Sequence, residues 1–347
     1  RAITMTAIEA PGGRVQNRIE SGIRPFDIAT DLRPVADLIA EAFAAELDPR
    51  GSAALREMRM MSNMGGLLKV LNRTTGEFRD LLKGFVWIEE GRVVGNVTVQ
   101  RADRFGNRWQ IANVAVAPAY RGRGIANRLM DAALERIEAS GAKWAVLQVY
   151  EANDPARHIY ERLDFEYMAG TADLRLPRVP ALPESEGKPV APHIANFHRF
   201  SASQGPELYE LANRQLNSQS QWWRPLRRSE FHVPFETQVG EWFWRKSGRR
   251  DVFRRCIRVS PRFEAALILT AQRWNGEHEL KLWVRPEHYG EYEDALFEWV
   301  TATLYDYPRL PVTLALPTSH AAGLEAARRH GFQPTRTLLT MRREMKA

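Results

Sequence analysis

The sequence predicts an α/β fold with mixed α+β sheets: two tandem domains, each a twisted, mostly antiparallel sheet flanked by helices. Three observations carry this. The chain has 347 residues, 44% hydrophobic and 26% charged, which is core enough for two domains of ordinary size. The segment LPRVPALPESEGKPVAP at 176–192 divides it; its five prolines fix φ and remove amide donors, which suits an extended spacer. Strand, helix and three-strand meander then recur in the same order on each side, the mark of an internal duplication. The expected parts are a tail at 1–22, a domain at 23–176, a linker at 177–192 and a second domain at 193–347.

In the first half, 23–26 reads as a short strand. The stretch 32–47 sets Leu32, Val35, Leu38, Ile39, Ala42 and Phe43 on one stripe at helical spacing. A second helical stretch at 52–71 is rich in Met and Leu and weakened at Gly65-Gly66. Strands follow at 84–89, 92–100 and 109–116. Glu90-Gly91 supplies a tight turn between the first two, and Phe105-Gly106-Asn107 joins the next two, so a meander is expected. A helix at 124–140, a strand at 144–150, a short helix at 155–162 and a closing strand near 165–176 complete the half.

The second half repeats the order. A strand at 197–201 and a helix at 206–217 precede a meander of 251–259, 263–272 and 279–284. A helix at 289–304, a strand at 312–316, a helix at 321–330 and a strand near 335–343 follow.

Composition closes off several function classes. The hydrophobic fraction excludes a disordered chain. No run reaches the roughly 18 apolar residues of a spanning helix, so no membrane role is expected. Residues 1–22 lack the apolar centre of a signal peptide, and Cys256 stands alone, so a cytoplasmic chain is the expectation. The eight histidines show no HExxH or paired Cys/His spacing, so no protein-built metal site is expected.

The net charge of +7 is uneven: 24 basic against 23 acidic residues in 1–175, but 23 against 17 in 193–347. Ten basic residues fall in 224–258 alone, with Trp222, Trp223, Trp242 and Trp244 in or beside them. Such interleaving fits a nucleic-acid backbone or another acidic partner; it equally fits a solvated strand surface whose tryptophans pack inward, and no RNA-binding signature accompanies it.

The most informative stretch runs from Val114, Ala115 and Val116 through Ala117-Pro118-Ala119-Tyr120 to Arg121-Gly122-Arg123-Gly124-Ile125-Ala126-Asn127. A β-branched strand enters a loop with two glycines, and a helix starts at once. First-turn amides have no partner inside the helix and sit at its positive dipole end, while glycines let an anion approach the backbone. This is a phosphate cradle in chemical terms; a plain strand-to-helix turn is the alternative. It is not a Walker loop, because no Gly-Lys-Ser/Thr follows. It is not a dinucleotide fingerprint either, because Asn127 holds the third glycine position and the strand belongs to a meander.

This loop resembles that of the GNAT superfamily of acyl-CoA-dependent N-acyltransferases, Gln/Arg-x-x-Gly-x-Gly/Ala, matched here by Arg121 to Ala126. The downstream run Asn153-Asp154-Pro155-Ala156-Arg157-His158-Ile159-Tyr160-Glu161-Arg162-Leu163-Asp164-Phe165 is similar to the family's Asn-x-x-Ala-x-x-x-Tyr-x-x-x-Gly-Phe, with Asp164 in place of glycine at the helix C-cap. The resemblance implies that Arg121, Gly122, Arg123, Gly124, Ile125, Ala126 and Asn127 hold the pyrophosphate of acetyl-CoA. It implies that Val114, Ala115 and Val116 bind the pantetheine arm by backbone, that Asn153 contacts the coenzyme, and that Tyr160 protonates the departing thiolate. From the residues alone, Tyr160 shares a stripe with Ala156, Ile159 and Leu163 and suits a core, and Asn153 suits a helix cap. A carboxylate base, often found on the strand before the loop in this family, is absent from Trp109-Gln110-Ile111-Ala112-Asn113; Gln110 holding a water, Glu151 acting as a relay, or an amine already neutral remain open.

Aligned on its strand end, the second half reads Val284-Arg285-Pro286-Glu287-His288-Tyr289-Gly290-Glu291-Tyr292-Glu293-Asp294. Tyr292 stands where Gly124 would be, and Glu291, Glu293 and Asp294 put negative charge where a pyrophosphate would sit. His320 and Ala327 fall at the asparagine and tyrosine positions. The expectation is therefore one active and one degenerate domain. The activity expected is transfer of an acetyl group from acetyl-CoA to the primary amine of a small molecule or protein by direct attack, with the Val116 N–H polarising the thioester. The alternative is a non-catalytic acyl-CoA-binding or nucleic-acid-associated module using 224–258. A monomer and a homodimer are equally compatible with the sequence.

Overall fold

The computed structural model describes residues 21–44, 55–60, 83–181, 191–231, 248–259 and 261–346. The tail at 1–20, most of the helix expected at 52–71, 182–190 of the proline-rich segment and 232–247 of the basic stretch, with Trp242 and Trp244, lie outside the described residues. The chain forms two compact units whose parts interleave: 1–148, 155–166 and 341–347 in one, 149–154 and 167–340 in the other. The class is mixed α/β, with strand and helix periodicities where the sequence places them.

In the first unit β1 (Ser21–Pro25), β2 (Lys83–Glu89), β3 (Arg92–Arg101), β4 (Arg108–Val116) and, as far as Gln148, β5 (Trp144–Tyr150) lie side by side in that order. The β2–β3 turn is tight because Glu90 (φ 49°) and Gly91 (φ 73°) both take the left-handed conformation, as a two-residue hairpin demands. Helix α1 (Ile28–Ala42) begins four residues earlier than its apolar stripe suggests, since the Asp27 carboxylate caps the Ala29 N–H. Its Val35, Ala36 and Ile39 pack on Val86 and Ile88 on one face of the sheet. Helix α2 (Ile125–Glu138) covers the other face: a Cβ added at Gly95 would meet Ile125 and Leu129 at 3.0 Å, so glycine lets the helix close on the strand. Helix α3 (Asp154–Arg162) follows β5.

The second unit contains β6 (Glu166–Leu176) from Tyr167 onward, β7 (Phe197–Arg199), β8 (Arg250–Val259), β9 (Arg262–Gln272), β10 (His278–Val284), β11 (Val312–Pro317) and β12 (Gln333–Glu344) as far as Thr340. The strand order is β12-β6-β11-β10-β9-β8-β7. Thus β6, which closes the first half of the sequence, pairs antiparallel with β11, from Leu176↔Val312 to Thr171↔Pro317. Helices α4 (Gly205–Gln215), α5 (Ser218–Trp223), α6 (Glu293–Leu304) and α7 (Ala321–Arg329) are its helices among the described residues. Helix α6 starts four residues later than expected because Gly290, at φ 91°, breaks the approach. Leu267, Leu269, Val284, Phe297, Val312 and Leu316 are central to its core.

Candidate active site

Strand β4 carries two irregularities that set up the site. Against β3, Ala112 faces Thr98 and Ala115 faces Asn96, three steps on β4 for two on β3, so β4 holds a bulge at 113–114. Asn113 takes φ 51° there, a left-handed value that asparagine tolerates better than most residues. Against β5, β4 pairs in parallel only from Arg108↔Trp144 to Ile111↔Leu147. Beyond Ile111 the strands part, and the stretch of β4 holding Val114, Ala115 and Val116 has no partner in β5.

The chain then makes a single turn of 3-10 helix, Pro118–Tyr120, before the glycine loop. Gly122 and Gly124 take φ 76° and 78°, left-handed values that strain any other residue, and among the described residues neither has an atom within 4 Å of where a Cβ would stand. Gly124 is the N-cap of α2; among the described residues no side chain caps the helix, and no acid lies in its first turn. The first-turn amides of Ile125, Ala126 and Asn127 lack intrahelical acceptors, as every helix start does. A positively polarised helix start with no side-chain cap among the described residues therefore follows the end of β4.

The arginines of the loop brace it. Arg121 donates Nε to the Val116 carbonyl (3.2 Å) and a terminal N–H to the Ala42 carbonyl at the end of α1 (3.2 Å). Arg123 donates to the Ala119 carbonyl and lies over the Tyr120 ring, 4.8 Å from its centroid. Asn127 accepts from Arg162 of α3 through Oδ1 at 3.1 Å. Tyr160 is buried, edge-on to Phe165 with centroids 6.1 Å apart, and burial pushes its phenol up to about 12. Asp164 holds φ 59° after α3, the left-handed C-cap conformation for which glycine is the usual residue. Asn153 lies in the turn before α3, its N–H donating to the Tyr150 carbonyl. His158 is exposed. Gln110 accepts from Gln100 through Oε1 at 3.1 Å, one amide satisfying another.

The counterpart in the second unit has the same backbone plan and a different occupant. A 3-10 turn, Pro286–His288, again leads to a left-handed glycine, Gly290. There the buried Glu293 carboxylate accepts from the Gly290 N–H (2.9 Å) and the Tyr292 N–H (3.2 Å) through Oε2, while Oε1 meets Nε2 of buried His320 at 2.7 Å. His320 stacks under Tyr289, centroids 4.0 Å apart, and its Nδ1 meets Gln215 at 3.2 Å. Gly323 makes room for that ring: a Cβ there would stand 2.6 Å from it. Burial disfavours the Glu293 charge, but hydrogen bonds from His320 and the Gly290 N–H outweigh it and hold the carboxyl below its ordinary range. The amides that would face a phosphate are thus filled by a carboxylate of the chain itself.

Among the described residues no group of His, Cys, Asp and Glu is disposed to hold a metal ion, and no helix is long and apolar enough to cross a membrane. Cys256 is buried and its thiol is pushed up to about 11 by desolvation, which makes it a poor nucleophile. The bulge of β4 was not foreseen from the sequence; its one local trace is an asparagine in the middle of a strand, a position asparagine disfavours.

Comparison with known proteins agrees with this geometry. Residues 54–165 match the acetyltransferase (GNAT) family. Over 83 residues the chain is 36% identical to N-alpha-acetyltransferase 30 of Schizosaccharomyces pombe, a match covering 23% of this chain and 55% of that one, so it spans about half of this relative. A GCN5-related N-acetyltransferase from Sphaerobacter thermophilus shares the fold with TM-score 0.56 at 15% identity, over 94% of this chain and 96% of the other. A tandem GNAT protein from the clavulanic acid biosynthesis pathway shares it with TM-score 0.53 at 17% identity, over 94% and 99%. The loop, the parted strands and the family match thus fall in the same stretch of sequence, and residues 54–165 are similar to the acetyltransferase (GNAT) family.

Proposed function

We propose that this protein transfers an acetyl group from acetyl-CoA to a primary amine, carried by a small molecule or by a protein. One juxtaposition carries the reading: at the end of β4, an edge released from β5 meets an uncapped helix start behind two open left-handed glycines. The donor set fits the coenzyme. A diphosphate needs converging N–H donors and no facing carboxylate, and the first turn of α2 supplies the donors and contains no acid. In this reading the amides of Gly122 to Asn127 hold the pyrophosphate, the released edge of Val114, Ala115 and Val116 holds the pantetheine amides, and Asn153 adds a contact. Arg121 and Arg123 act mainly by bracing the loop.

Acetyl-CoA supplies an acetyl group activated as a thioester. The amine nitrogen attacks the carbonyl carbon, whose developing oxyanion the Val116 N–H stabilises. A C–N bond forms, the C–S bond breaks, and the sulfur takes a proton from the Tyr160 hydroxyl. The nitrogen gives up a proton in turn, directly to water if the amine arrives neutral or through a relay ending at Glu151, and solvent returns a proton to the Tyr160 phenolate. In this reading the second unit, with its Gly290 and Tyr292 amides filled by Glu293, holds no coenzyme. Half-buried arginines on β8, with Arg255 lying over the Trp299 ring, favour packing over a nucleic-acid track.

Release of free thiol from acetyl-CoA in the presence of an amine panel tests the proposal. Peptides with free α-amino groups come first, because the Schizosaccharomyces pombe relative is an N-alpha-acetyltransferase. Thiol appearing with at least one amine is the expected result. Coenzyme binding without thiol above background across the panel would leave an acyl-CoA-binding module in its place.

A further inference from the structure

We propose that Asn96 is a positioning residue for acetyl transfer, acting through the bulge of β4; the inference rests on the function proposed above. Asn96 lies on β3 and is only 1% exposed. A bulge strands ladder groups, and here the Asn113 carbonyl takes a side-chain donor: Asn96 Nδ2 donates to it at 2.9 Å and lies 3.4 Å from Thr98 Oγ1. Asn113 Nδ2 lies 3.4 Å from the same hydroxyl. The two asparagines and the threonine tie the extra residue of β4 to β3.

The register of the site depends on that extra residue. Trp109 and Ile111 face the same side as their partners Arg101 and Val99. Without the bulge Ala115 would share that side; with it, Ala115 faces Asn96 and Val116 faces Gly95, so every side chain from 114 onward changes face. The backbone groups of Val114, Ala115 and Val116 turn with them. Asn96 therefore fixes which way the thioester-binding edge points, although it touches no substrate.

Asn96→Ser keeps a small polar group but is too short to reach the Asn113 carbonyl, and Asn96→Leu keeps the volume without the donor. Val97→Ala, at a fully buried neighbour on the opposite face, is the control for lost packing. All three are expected to lower Tm. Only the Asn96 variants should lower kcat/KM for acetyl-CoA, about ten-fold or more per folded molecule, and raise the Kd for free coenzyme A, with the KM for the amine little changed. Either Asn96 variant, folded by circular dichroism, with kcat/KM and Kd within two-fold of the unmutated protein would overturn the proposal. So would Val97→Ala changing both as much. If the unmutated protein transfers acetyl to no amine, the functional reading fails first, and the Asn96 inference is then decided by coenzyme A affinity alone.

Discussion

Tyr160 illustrates how burial tunes a single side chain. Desolvation disfavours the phenolate, so the hydroxyl stays protonated up to about pH 12, as the acid role proposed for it requires. Tyr160→Phe should lower kcat by at least ten-fold while leaving coenzyme A affinity within about two-fold, read by thiol release and calorimetry. It should leave the shape of the kcat profile between pH 6 and 10 unchanged, because the phenol does not titrate there. The folded chain binds this proton more tightly than the unfolded chain, so stability falls as pH rises from the ordinary tyrosine range toward 12. Tyr160→Phe should blunt that fall in alkaline unfolding curves. Neither the burial nor the edge contact with Phe165 is written in the Asn-x-x-Ala-x-x-x-Tyr spacing; the spacing gives the helix face, and the neighbours decide what covers it.

At the scale of elements, α2 and α6 are a matched pair with opposite outcomes. Both follow a strand, a 3-10 turn and a left-handed glycine, but α2 opens with no acid in its first turn and α6 opens with Glu293 and Asp294. Gly124→Ala fills open space but strains a left-handed position, costing about 1 kcal/mol of stability in urea unfolding with coenzyme binding weakened. Gly124→Glu adds a carboxylate before the same amides and should abolish coenzyme binding in calorimetry; retained affinity would remove α2 as the cradle. The elements themselves were legible, because hydrophobic period and turn chemistry are local. The start of α1 was not, since a capping aspartate outweighed the apolar stripe, and the bulge was not, since register is a property of two strands.

For the molecule as a whole, the contrast between the two helix starts predicts one coenzyme A bound per chain in calorimetry. Two sites would show that the Glu293 carboxylate yields to a phosphate. Glu293 and His320 form a buried pair, so Glu293→Ala should cost about 3 kcal/mol in urea unfolding. Because the Glu293 carboxyl is held below its ordinary range, its stabilising effect is present above that range and lost as pH falls through the depressed value. The Tm gap between the unmutated protein and Glu293→Gln should therefore be widest near neutral pH and close in acid.

The amino-acid sequence by itself determined the alternation of strands and helices, the two left-handed glycines and the acid-free first turn of α2, because each depends on residues within a few positions of one another. Tertiary structure alone decided that β4 parts from β5 after Ile111, that β6 joins β11, and that buried His320 meets the Glu293 carboxylate. Those outcomes depend on which strand edge and which side chain arrive from far along the chain, and hydrogen-bond donors left by one segment are satisfied by whatever the fold brings to them.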